Sequence, residues 1–457
     1  MCGISCAVGV GAVEKALAGL RNLSYRGYDS NGCAAIVDGN LEVRRAVGKV
    51  DQLENLLLEN PIGPSTCAIF HCRWATSGSV TEENCHPHVV GQVAVVANGV
   101  IENSTTVPDT RYIAEVIEAK MACGLSLKLA ARFTADQCKG TFAFAAIAAS
   151  EPGVIATESR GIALHEKNGL ITSAIVEPGE LHDETWTLQE IRETPEMLKR
   201  HLELRSLNAV IVGCGSSRHA ALSAGCETVV VASEYEPGME NALVCVSQSG
   251  ETADVIAALR RAKYHDIYTL AVCNSRDSTL ANEADEFIFL DCGPERGVAA
   301  TKSFVQTVRA LWGWDEPVSI DLPAIEESAK AVAKQIWQEK LVILIGRGRH
   351  YALALEGALK LQELAYVPAL AFVASELRHG PLALIESGAP ILCLGGVQAP
   401  EAAARGARLF PSPFTGDSLQ DILSEAVWLQ LLAYHVATQL GRDIDQPRHI
   451  AKCISVL

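Results

Sequence analysis

The sequence has no long apolar segment, which argues against a protein that crosses a membrane. Its longest apolar runs, such as Phe142–Ala149, are far shorter than the roughly 20 residues that a membrane-spanning helix needs. The chain begins Met-Cys-Gly-Ile, without the basic region and long apolar stretch of a secretory signal peptide. We therefore expect a cytoplasmic protein that does not bind a membrane.

Positive charge and metal-binding motifs are also scarce. The 38 Lys and Arg residues against 54 Asp and Glu residues give a net charge of −16, which argues against nucleic acid as the main partner. The 15 cysteines include no Cys-x-x-Cys pair, and we expect them to be reduced and mostly buried. The Cys-His-Pro-His cluster at Cys85–His88 has no second pair to complete a site, so we predict neither a metal nor another cofactor.

The hydrophobic pattern divides the 457 residues into several domains. Residues 1–180 combine short β-type runs with two helical patterns, Val13–Leu23 and Tyr112–Cys123, which indicates an α+β layered domain. Residues 181–207 are polar and helical in pattern, and we interpret them as a connector. From residue 208 onwards strand-like and helical runs alternate, as in a parallel sheet covered by helices. The β-type runs of the first domain are Ala34–Val37, Cys67–Phe70, Val93–Ala97 and Phe142–Ala148.

An internal repeat indicates that the α/β part of the chain is duplicated. Ala209–Gly215 and Leu341–Gly348 are both strand-like runs that lead into a Gly-x-Gly turn, and Val-Ala-Ser-Glu recurs at 231–234 and 373–376. The second copy is shortened after Ile391–Leu394, where the first copy has a full helix and strand. The predicted boundaries are 208–330 for the first copy, 331–440 for the second and 441–457 for a C-terminal tail.

Cys2 is a candidate nucleophile because it follows the initiator methionine directly. Removal of Met1 would leave Cys2 with a free α-amine, which titrates near ~8. This amine can take the thiol proton, directly or through water, and the resulting thiolate can attack a carboxamide.

Four further blocks of sequence give Cys2 a context. Cys2–Ile4 together with Arg73–Thr76, Asn98–Gly99 and Asp109–Thr110 resembles the class II glutamine amidotransferases, a branch of the N-terminal-nucleophile hydrolases. The Tyr-Arg-Gly-Tyr-Asp-Ser block at Tyr25–Ser30 narrows the resemblance to the sugar-phosphate aminotransferases. The resemblance implies αββα layers for the first domain.

The resemblance also implies a glutamine-binding site in which each residue carries a group suited to its role. Arg73 can hold the α-carboxylate of glutamine with its guanidinium fork, and Asp109 can pair with the α-ammonium. The side-chain amide of Asn98 and the backbone N–H of Gly99 can stabilise the oxyanion of the tetrahedral intermediate. The implied glutamine-binding residues are Arg73, Trp74, Thr76 and Asp109.

Two hydroxyl-rich turns predict a phosphate site. Val246–Thr252 follows a strand and opens a helix, so its hydroxyls and N–H groups can surround a phosphate dianion, although Ser249 could instead be an ordinary helix cap. Cys214–Ser217 forms a second such turn. Both turns resemble the sugar isomerase (SIS) domain, a flavodoxin-like parallel sheet that binds phosphosugars, and so does Gly297–Lys302, with Ala300 in place of the usual Ser. The implied sugar-phosphate-binding residues are Ser217, Ser247, Gln248, Ser249, Thr252, Val298 and Ala300.

A candidate set of acid–base residues lies in the second copy. Glu356, Lys360 and Glu363 recur at helical spacing, which places them on one helix face. A solvated salt-bridge face is the alternative, but the apolar flanking residues favour a buried set with shifted pKa values. By resemblance, His379 opens the sugar ring and Lys452 of the tail forms a Schiff base with the open ketose.

Taken over nearly the whole chain, the resemblance is to the glutamine–fructose-6-phosphate aminotransferases (isomerising), also called glucosamine-6-phosphate synthases, with this chain a shortened member. Such an enzyme transfers a nitrogenous group from L-glutamine to fructose 6-phosphate. The implied sequence is release of ammonia at Cys2, passage through a channel gated by Trp74, ring opening by Lys452 and His379, and proton transfer between C1 and C2 by Glu363. A homodimer is expected, with His379 donated across the interface.

Three alternatives remain open from the sequence. The acceptor could be another keto-sugar phosphate. The chain could also be an ammonia-dependent isomerase with an impaired amidase, because Ser77 and Ala97 stand where relatives commonly have His. The third alternative, a non-catalytic phosphosugar sensor, would not need Glu356, Lys360 and Glu363 together.

Overall fold

The chain folds into two compact units, Met1–Gly179 with Ala451–Leu457, and Glu180–Ile450. The structure is a computed structural model. It describes residues 2–75, 79–101, 103–104, 109–158, 164–173, 181–202, 209–450 and 452.

The first unit contains two antiparallel sheets. Its strands are β1 (Gly3–Val8), β2 (Ser30–Val37), β3 (Asn40–Val47), β4 (Cys67–Arg73), β5 (His88–Val90), β6 (Val93–Ile101), β7 (Gly140–Ala148), β8 (Glu151–Glu158), β9 (His165–Lys167) and β10 (Leu170–Thr172). Its helices are α1 (Ala12–Leu23), α2 (Val50–Glu59), α3 (Asp109–Ala122) and α4 (Leu127–Gln137). One sheet has the order β3-β2-β4-β1-β10-β9 and the other β5-β6-β7-β8. The predicted β-type runs and both helical patterns of this region are confirmed, each in the expected element.

The two sheets of the first unit pack face to face between helices. Alternate residues of β4 point to opposite sides, so Ile69 meets residues of the second sheet such as Val96, whereas Phe70 packs towards α1 and α2. The other face of the second sheet, which includes Val95, is covered by α3 and α4. The layer order is therefore helix, sheet, sheet, helix.

The second unit contains two parallel sheets. Their strands are β11 (Val210–Gly213), β12 (Val229–Val231), β13 (Ala242–Val246), β14 (Tyr268–Cys273) and β15 (Glu286–Phe289), then β16 (Val342–Gly346), β17 (Ala369–Val373), β18 (Pro390–Cys393) and β19 (Arg408–Pro411). The helices are α5 (Trp186–Met197), α6 (Gly215–Ala224), α7 (Ala253–Tyr264), α8 (Thr279–Glu283), α9 (Lys302–Trp312), α10 (Leu322–Ile336), α11 (Arg349–Lys360), α12 (Pro400–Ala403) and α13 (Leu419–Gln439).

Strand order confirms the duplicated α/β fold. The first sheet runs β12-β11-β13-β14-β15, the flavodoxin-like order 2-1-3-4-5, and the second runs β17-β16-β18-β19, the same order with one strand fewer. The shortened stretch after β18 is not devoid of structure, because it keeps the four-residue helix α12 and the four-residue strand β19. In open parallel sheets, ligands bind at the carboxyl ends of the strands beside the point where the order reverses.

A shared core joins the two copies. The 21-residue helix α13 is buried on nearly all sides, and its Trp428 side chain is completely buried. Helix α5, which lies in the predicted connector, packs Leu188 and Ile191 into the same core. Part of the connector is therefore an integral helix of the second unit. Among the described residues, no helix combines the length and the apolar character needed to span a membrane.

Candidate functional sites

Strand pairing in the first unit places Cys2 beside the predicted glutamine-binding block. β1 pairs with β4 in a register that sets Gly3 opposite Cys72, so Cys2 lies next to the end of β4. The backbone N–H of Trp74 donates to the Cys2 Sγ at 3.3 Å. The side-chain Nδ2 of Asn98 donates to the Cys2 carbonyl at 2.9 Å. The predicted nucleophile, oxyanion amide and gate residue thus meet at one point.

Burial and neighbouring groups shift the pKa of the Cys2 thiol in opposite directions. Burial is the largest influence and raises its pKa, while the Trp74 N–H and the nearby Arg73 and Arg26 guanidinium groups lower it less strongly. Arg26 Nε also donates to the Cys2 carbonyl at 3.2 Å. The net effect is a raised pKa, so the thiol needs a base to become a thiolate at neutral pH.

The Tyr25–Ser30 block packs against the backbone segment that carries Arg73 and Trp74. A Cβ on Gly27 would lie 2.6 Å from the carbonyl carbon of Arg73, so only glycine lets the two segments approach so closely. Beside it, the Tyr28 ring packs edge-on against the Trp74 ring at a centroid distance of 5.5 Å. The block therefore fixes the backbone that carries Arg73 and Trp74.

The residues predicted to bind the polar ends of glutamine are placed by element ends. Arg73 closes β4 and is buried, and Asp109 opens α3 with a carboxylate that accepts from the Ile101 N–H at 3.0 Å. Gly99 follows Asn98 within β6 at a positive φ of 94°. Thr76 and Ser77 lie outside the described residues.

Three buried histidines behind Asn98 were not recognised as a group from the sequence. The rings of His71 and His86 stack at 4.1 Å, and His88 meets His86 edge-on at 5.0 Å. His86 Nδ1 accepts from the Ala97 N–H at 3.3 Å. The Cys85–His88 segment thus supplies two members of this histidine group, His86 and His88, and no group of three or more His, Cys, Asp or Glu residues among the described residues could hold a metal ion.

In the second unit, Glu356, Lys360 and Glu363 form a continuous hydrogen-bonded chain. Lys360 Nζ lies 3.2 Å from Glu356 Oε1 and 2.5 Å from Glu363 Oε2. Glu356 and Lys360 are almost fully buried on α11, while Glu363 is partly exposed on the π-helical turn Leu361–Ala365 that follows. The alternative of a solvated salt-bridge face is therefore wrong for Glu356 and Lys360.

Two residues of the first copy complete the cluster. Ser216 Oγ donates to Glu356 Oε1 at 2.8 Å and accepts from Lys360 Nζ at 3.1 Å. His219 Nδ1 lies 2.9 Å from Glu356 Oε2. Neither role was predicted from the sequence. The available signal was that Ser216 and His219 share a helix face at i and i+3 directly after the Gly-x-Gly turn.

The buried charges stabilise each other. Burial alone would raise the pKa of Glu356, but Lys360, His219 and Ser216 outweigh it, and the pKa of this carboxyl is lowered. Burial alone would likewise lower the pKa of Lys360, yet Glu356 and Glu363 outweigh it and the pKa of this amine is raised. The cluster therefore holds one ammonium between two carboxylates at neutral pH.

The predicted phosphate loop lies at the carboxyl end of β13. Ser247 Oγ hydrogen bonds with Thr252 Oγ1 at 2.8 Å, and Ser249 Oγ accepts from the Glu251 N–H at 3.1 Å. The capping alternative is wrong, because α7 begins at Ala253 with Thr252 in the cap position, and Thr252 makes no side-chain cap bond. The hydroxyls of Ser247 and Thr252 thus converge inside the loop rather than on the helix end.

Gly250 gives this loop its shape and a first testable prediction. Its φ is +68°, and an added Cβ would lie 2.1 Å from Ser278 Oγ. Gly313 is a matched control, with φ +78° and nothing within 4 Å. We expect Gly313→Ala to destabilise the chain by about 1 kcal/mol and Gly250→Ala by about 1–3 kcal/mol more, measured by urea unfolding. Equal losses would show that the contact with Ser278 relaxes freely.

Buried carboxylates hold the predicted sugar-lining loop. Glu190 of α5 accepts from the Gly297 N–H at 3.1 Å, and Glu295 accepts from the Thr301 N–H at 2.9 Å. The Val298 N–H donates at 3.2 Å to the carbonyl of Asp445, a residue of the predicted tail. The described part of the tail is thus hydrogen-bonded to the loop that carries Val298 and the partly buried Ala300.

The remaining predicted residues are not all brought together. Ser217 lies in the first turn of α6, and the Gln248 carbonyl accepts from the Asn274 N–H at 2.9 Å. His379 is exposed at the end of a 3₁₀ turn, and its imidazole has no hydrogen-bond or ion-pair partner among the described residues. Lys452 belongs to the first unit, and the Glu356 cluster belongs to the second.

An open cavity of about 450 Å³ lies beside the acid–base cluster. Glu363 lines it from the π-helical turn, and Arg448 and His449 line it from the tail. Arg448 is held against Tyr366, which also lines the cavity. Its backbone N–H donates to the Tyr366 hydroxyl at 2.8 Å, and its guanidinium lies 4.6 Å from the Tyr366 ring centroid. The partly exposed carboxylate of Glu363 thus faces a space large enough for a small phosphosugar.

Known protein families and structures agree with the fold described for the second unit. The SIS domain family matches residues 237–312 and 335–404, which confirms the two predicted SIS domains. The C-terminal domain of a glucosamine-fructose-6-phosphate aminotransferase from Francisella tularensis superposes with a TM-score of 0.52 and 25% identity, covering 59% of this chain and 100% of that one. A glucosamine-6-phosphate deaminase structure from Thermotoga maritima, 23% identical with a TM-score of 0.51, covers 59% of this chain and 99% of its own and shares the fold.

Relatives also match along the whole length. Glutamine–fructose-6-phosphate aminotransferases (isomerising) from Caulobacter vibrioides and Halobacterium salinarum are 30% and 32% identical, over 610 and 608 aligned positions, covering 100% of both chains in each case. The alignment with the Caulobacter protein is 153 positions longer than the 457 residues here (610 less 457), so that relative has at least this many residues without a counterpart. The prediction of a shortened chain is confirmed.

Proposed function

The chain belongs to the glutamine–fructose-6-phosphate aminotransferase (isomerising) family, and from this membership we propose that it converts fructose 6-phosphate and L-glutamine to glucosamine 6-phosphate and glutamate. The observation that carries the proposal is the buried chain Glu356–Lys360–Glu363, which ends at a cavity. A protein that only bound phosphosugars would gain nothing from an ammonium and two carboxylates held there at a desolvation cost.

The first half-reaction takes place at Cys2. After removal of Met1, the α-amine of Cys2 accepts the thiol proton, and the thiolate attacks the side-chain amide of glutamine. Arg73 holds the α-carboxylate and Asp109 the α-ammonium, while Asn98 and the N–H of Gly99 stabilise the oxyanion. Ammonia leaves, and water releases glutamate from the thioester. The helix–sheet–sheet–helix order of the first unit supports an N-terminal-nucleophile hydrolase fold for this domain.

The second half-reaction takes place at the carboxyl ends of the parallel strands. The hydroxyls and amides of Ser247, Gln248, Ser249 and Thr252, with Ser217 from the neighbouring turn, bind the phosphate. The loop with Val298 and Ala300 lines the sugar. Lys452 forms a Schiff base with the open ketose once His379 has assisted ring opening, and ammonia from the first site replaces it at C2.

Glu363 then moves a proton between C1 and C2 of the aminated sugar. Its position at the open end of the buried cluster suits this role, because Lys360 donates to it at 2.5 Å while one side remains exposed to the cavity. Ser216, His219 and Glu356 fix the position of Lys360 from the other end. We include in the proposal a homodimer whose partner receives the exposed His379, and a closed passage for ammonia gated by Trp74.

A coupled assay tests the proposal. The Met1-processed chain is supplied with fructose 6-phosphate and glutamine, and glutamate and glucosamine 6-phosphate are both quantified. Equal amounts of the two products are expected, and Cys2→Ala should form amino sugar only with added ammonium. Glutamate without amino sugar would assign another acceptor to the chain. If the wild type formed amino sugar from ammonium but not from glutamine, the chain would instead be an ammonia-dependent isomerase.

A further inference from the structure

His71 makes a contact that the mechanism above does not use. It lies on β4, has no exposed surface, and reaches across to β6 in the other sheet of the first unit. Its Nε2 is 3.0 Å from the Ala97 carbonyl oxygen and 3.2 Å from Asn98 Oδ1. One ring nitrogen therefore faces two oxygen atoms, one of which belongs to the proposed oxyanion amide.

These contacts determine which nitrogen of His71 carries the proton. A backbone carbonyl can only accept, so Nε2 must carry a hydrogen that it shares between the Ala97 carbonyl and the Asn98 side chain. The atom of Asn98 that faces Nε2 must then be its oxygen. At the opposite end, the Asn98 NH₂ group meets the Cys2 carbonyl, which also only accepts. The two contacts agree on a single orientation of the amide.

The surroundings of His71 favour the neutral ring. Burial is the main cause, and the neighbouring Arg73 and His88 act in the same direction, so that the pKa of His71 falls to about 3. No described residue makes a hydrogen bond to its Nδ1. The stacked ring of His86 covers one face of the imidazole at 4.1 Å. A neutral imidazole with its proton on Nε2 is thus held in place over the working pH range.

We propose that His71 is a positioning residue for amide hydrolysis, and that it locks the Asn98 carboxamide with its NH₂ group directed to the reaction centre. One N–H of this group binds the Cys2 carbonyl, which leaves the second N–H for the oxyanion that develops on the substrate. Without the Nε2 donor the carboxamide is free to rotate, and its N–H is no longer preorganised. This inference rests on the proposed function, because it assigns a role within the Cys2 site.

A pair of substitutions separates positioning from packing. His71→Met keeps the volume and removes the donor, whereas His71→Gln supplies an N–H near the position of Nε2. We expect kcat for glutamine hydrolysis to fall roughly tenfold in His71→Met, with KM nearly unchanged, and to recover largely in His71→Gln. The alkylation rate of Cys2 by iodoacetamide, which needs no oxyanion donor, should be the same in all three proteins. His165→Met on β9 controls for the exchange itself.

Several outcomes would overturn the inference. An unchanged kcat in His71→Met would do so, and so would a His71→Gln variant as slow as His71→Met, or a parallel loss of alkylation. A readout without turnover separates this inference from the proposed function. In Asn-labelled protein, the NMR order parameter of the Asn98 side-chain NH₂ group, assigned with Asn98→Ala, should stay high in the wild type and His71→Gln and fall in His71→Met. An equally high order parameter in all three proteins would reject the inference even if the wild type releases no glutamate.

Discussion

Replacement of Glu363 by glutamine is expected to reduce amino-sugar formation by about 10²–10⁴-fold, the usual contribution of a positioned general acid or base. Glutamine is isosteric and keeps a hydrogen-bonding oxygen for Lys360, which lies 2.5 Å from the Glu363 carboxylate. It cannot carry a proton between two carbon atoms. Ring opening and phosphate binding should be nearly unaffected, so KM for fructose 6-phosphate should change little while kcat falls.

Isotope exchange locates the affected step. In deuterated water the wild type should incorporate deuterium into C1 or C2 of the sugar during turnover, and Glu363→Gln should lose this exchange together with product formation. Glu376→Gln is a suitable control, because Glu376 is an exposed carboxylate in the next 3₁₀ turn along the chain. Exchange at the wild-type rate in Glu363→Gln would assign the proton transfer to another group.

The fold could be predicted where the pattern of apolar residues was distinct. The apolar runs that became β4, β6 and β7, and those that became β11 and β13, were readable because a short continuous apolar run between turn residues is typical of a buried strand. The helix with Glu356 and Lys360 was also readable, but its end was not. The chain passes into a π-helical turn at Leu361, and a sequence pattern that fits either geometry carries no signal for this change.

The acid–base site could be predicted only in part, because three of the five contacts within it join distant segments. Ser216 and His219 lie about 140 positions before Glu356, and only the packing of α6 against α11 brings them together. Nothing in the sequence around Glu190 indicated that α5 would hold the loop at Gly297. Motif resemblance identified the reacting groups, whereas the residues that position them depend on tertiary contacts.

Substitution of Lys360 by methionine is expected to have the largest effect on stability. The side chains of Lys360 and Glu356 are 1% and 2% exposed, and removal of the ammonium leaves the Glu356 carboxylate buried without its cation. Breaking a buried pair on one side costs about 3–5 kcal/mol. The loss is measurable as the free energy of urea unfolding of the second unit, by fluorescence, because five of the six tryptophans lie in that unit.

The dependence of this loss on pH distinguishes the ion pair from simple packing. The wild-type Glu356 pKa is lowered, so its carboxylate contributes stability that is present above its unfolded value near ~4.3 and is lost as the pH falls through the folded value. Lys360 has a raised pKa and contributes below its unfolded value near ~10.4, so it stays charged throughout the neutral range. Without Lys360 the burial of Glu356 dominates, its pKa rises, and the carboxyl is neutral in mild acid. The variant should therefore be closest to the wild type near pH 5 and furthest from it near pH 8.

Lys360→Met combined with Glu356→Gln, which removes both charges, should recover much of the loss at pH 8. A deficit that is independent of pH, or a double variant no more stable than Lys360→Met, would mean that the cost comes from packing of the lysine stem and not from an uncompensated carboxylate.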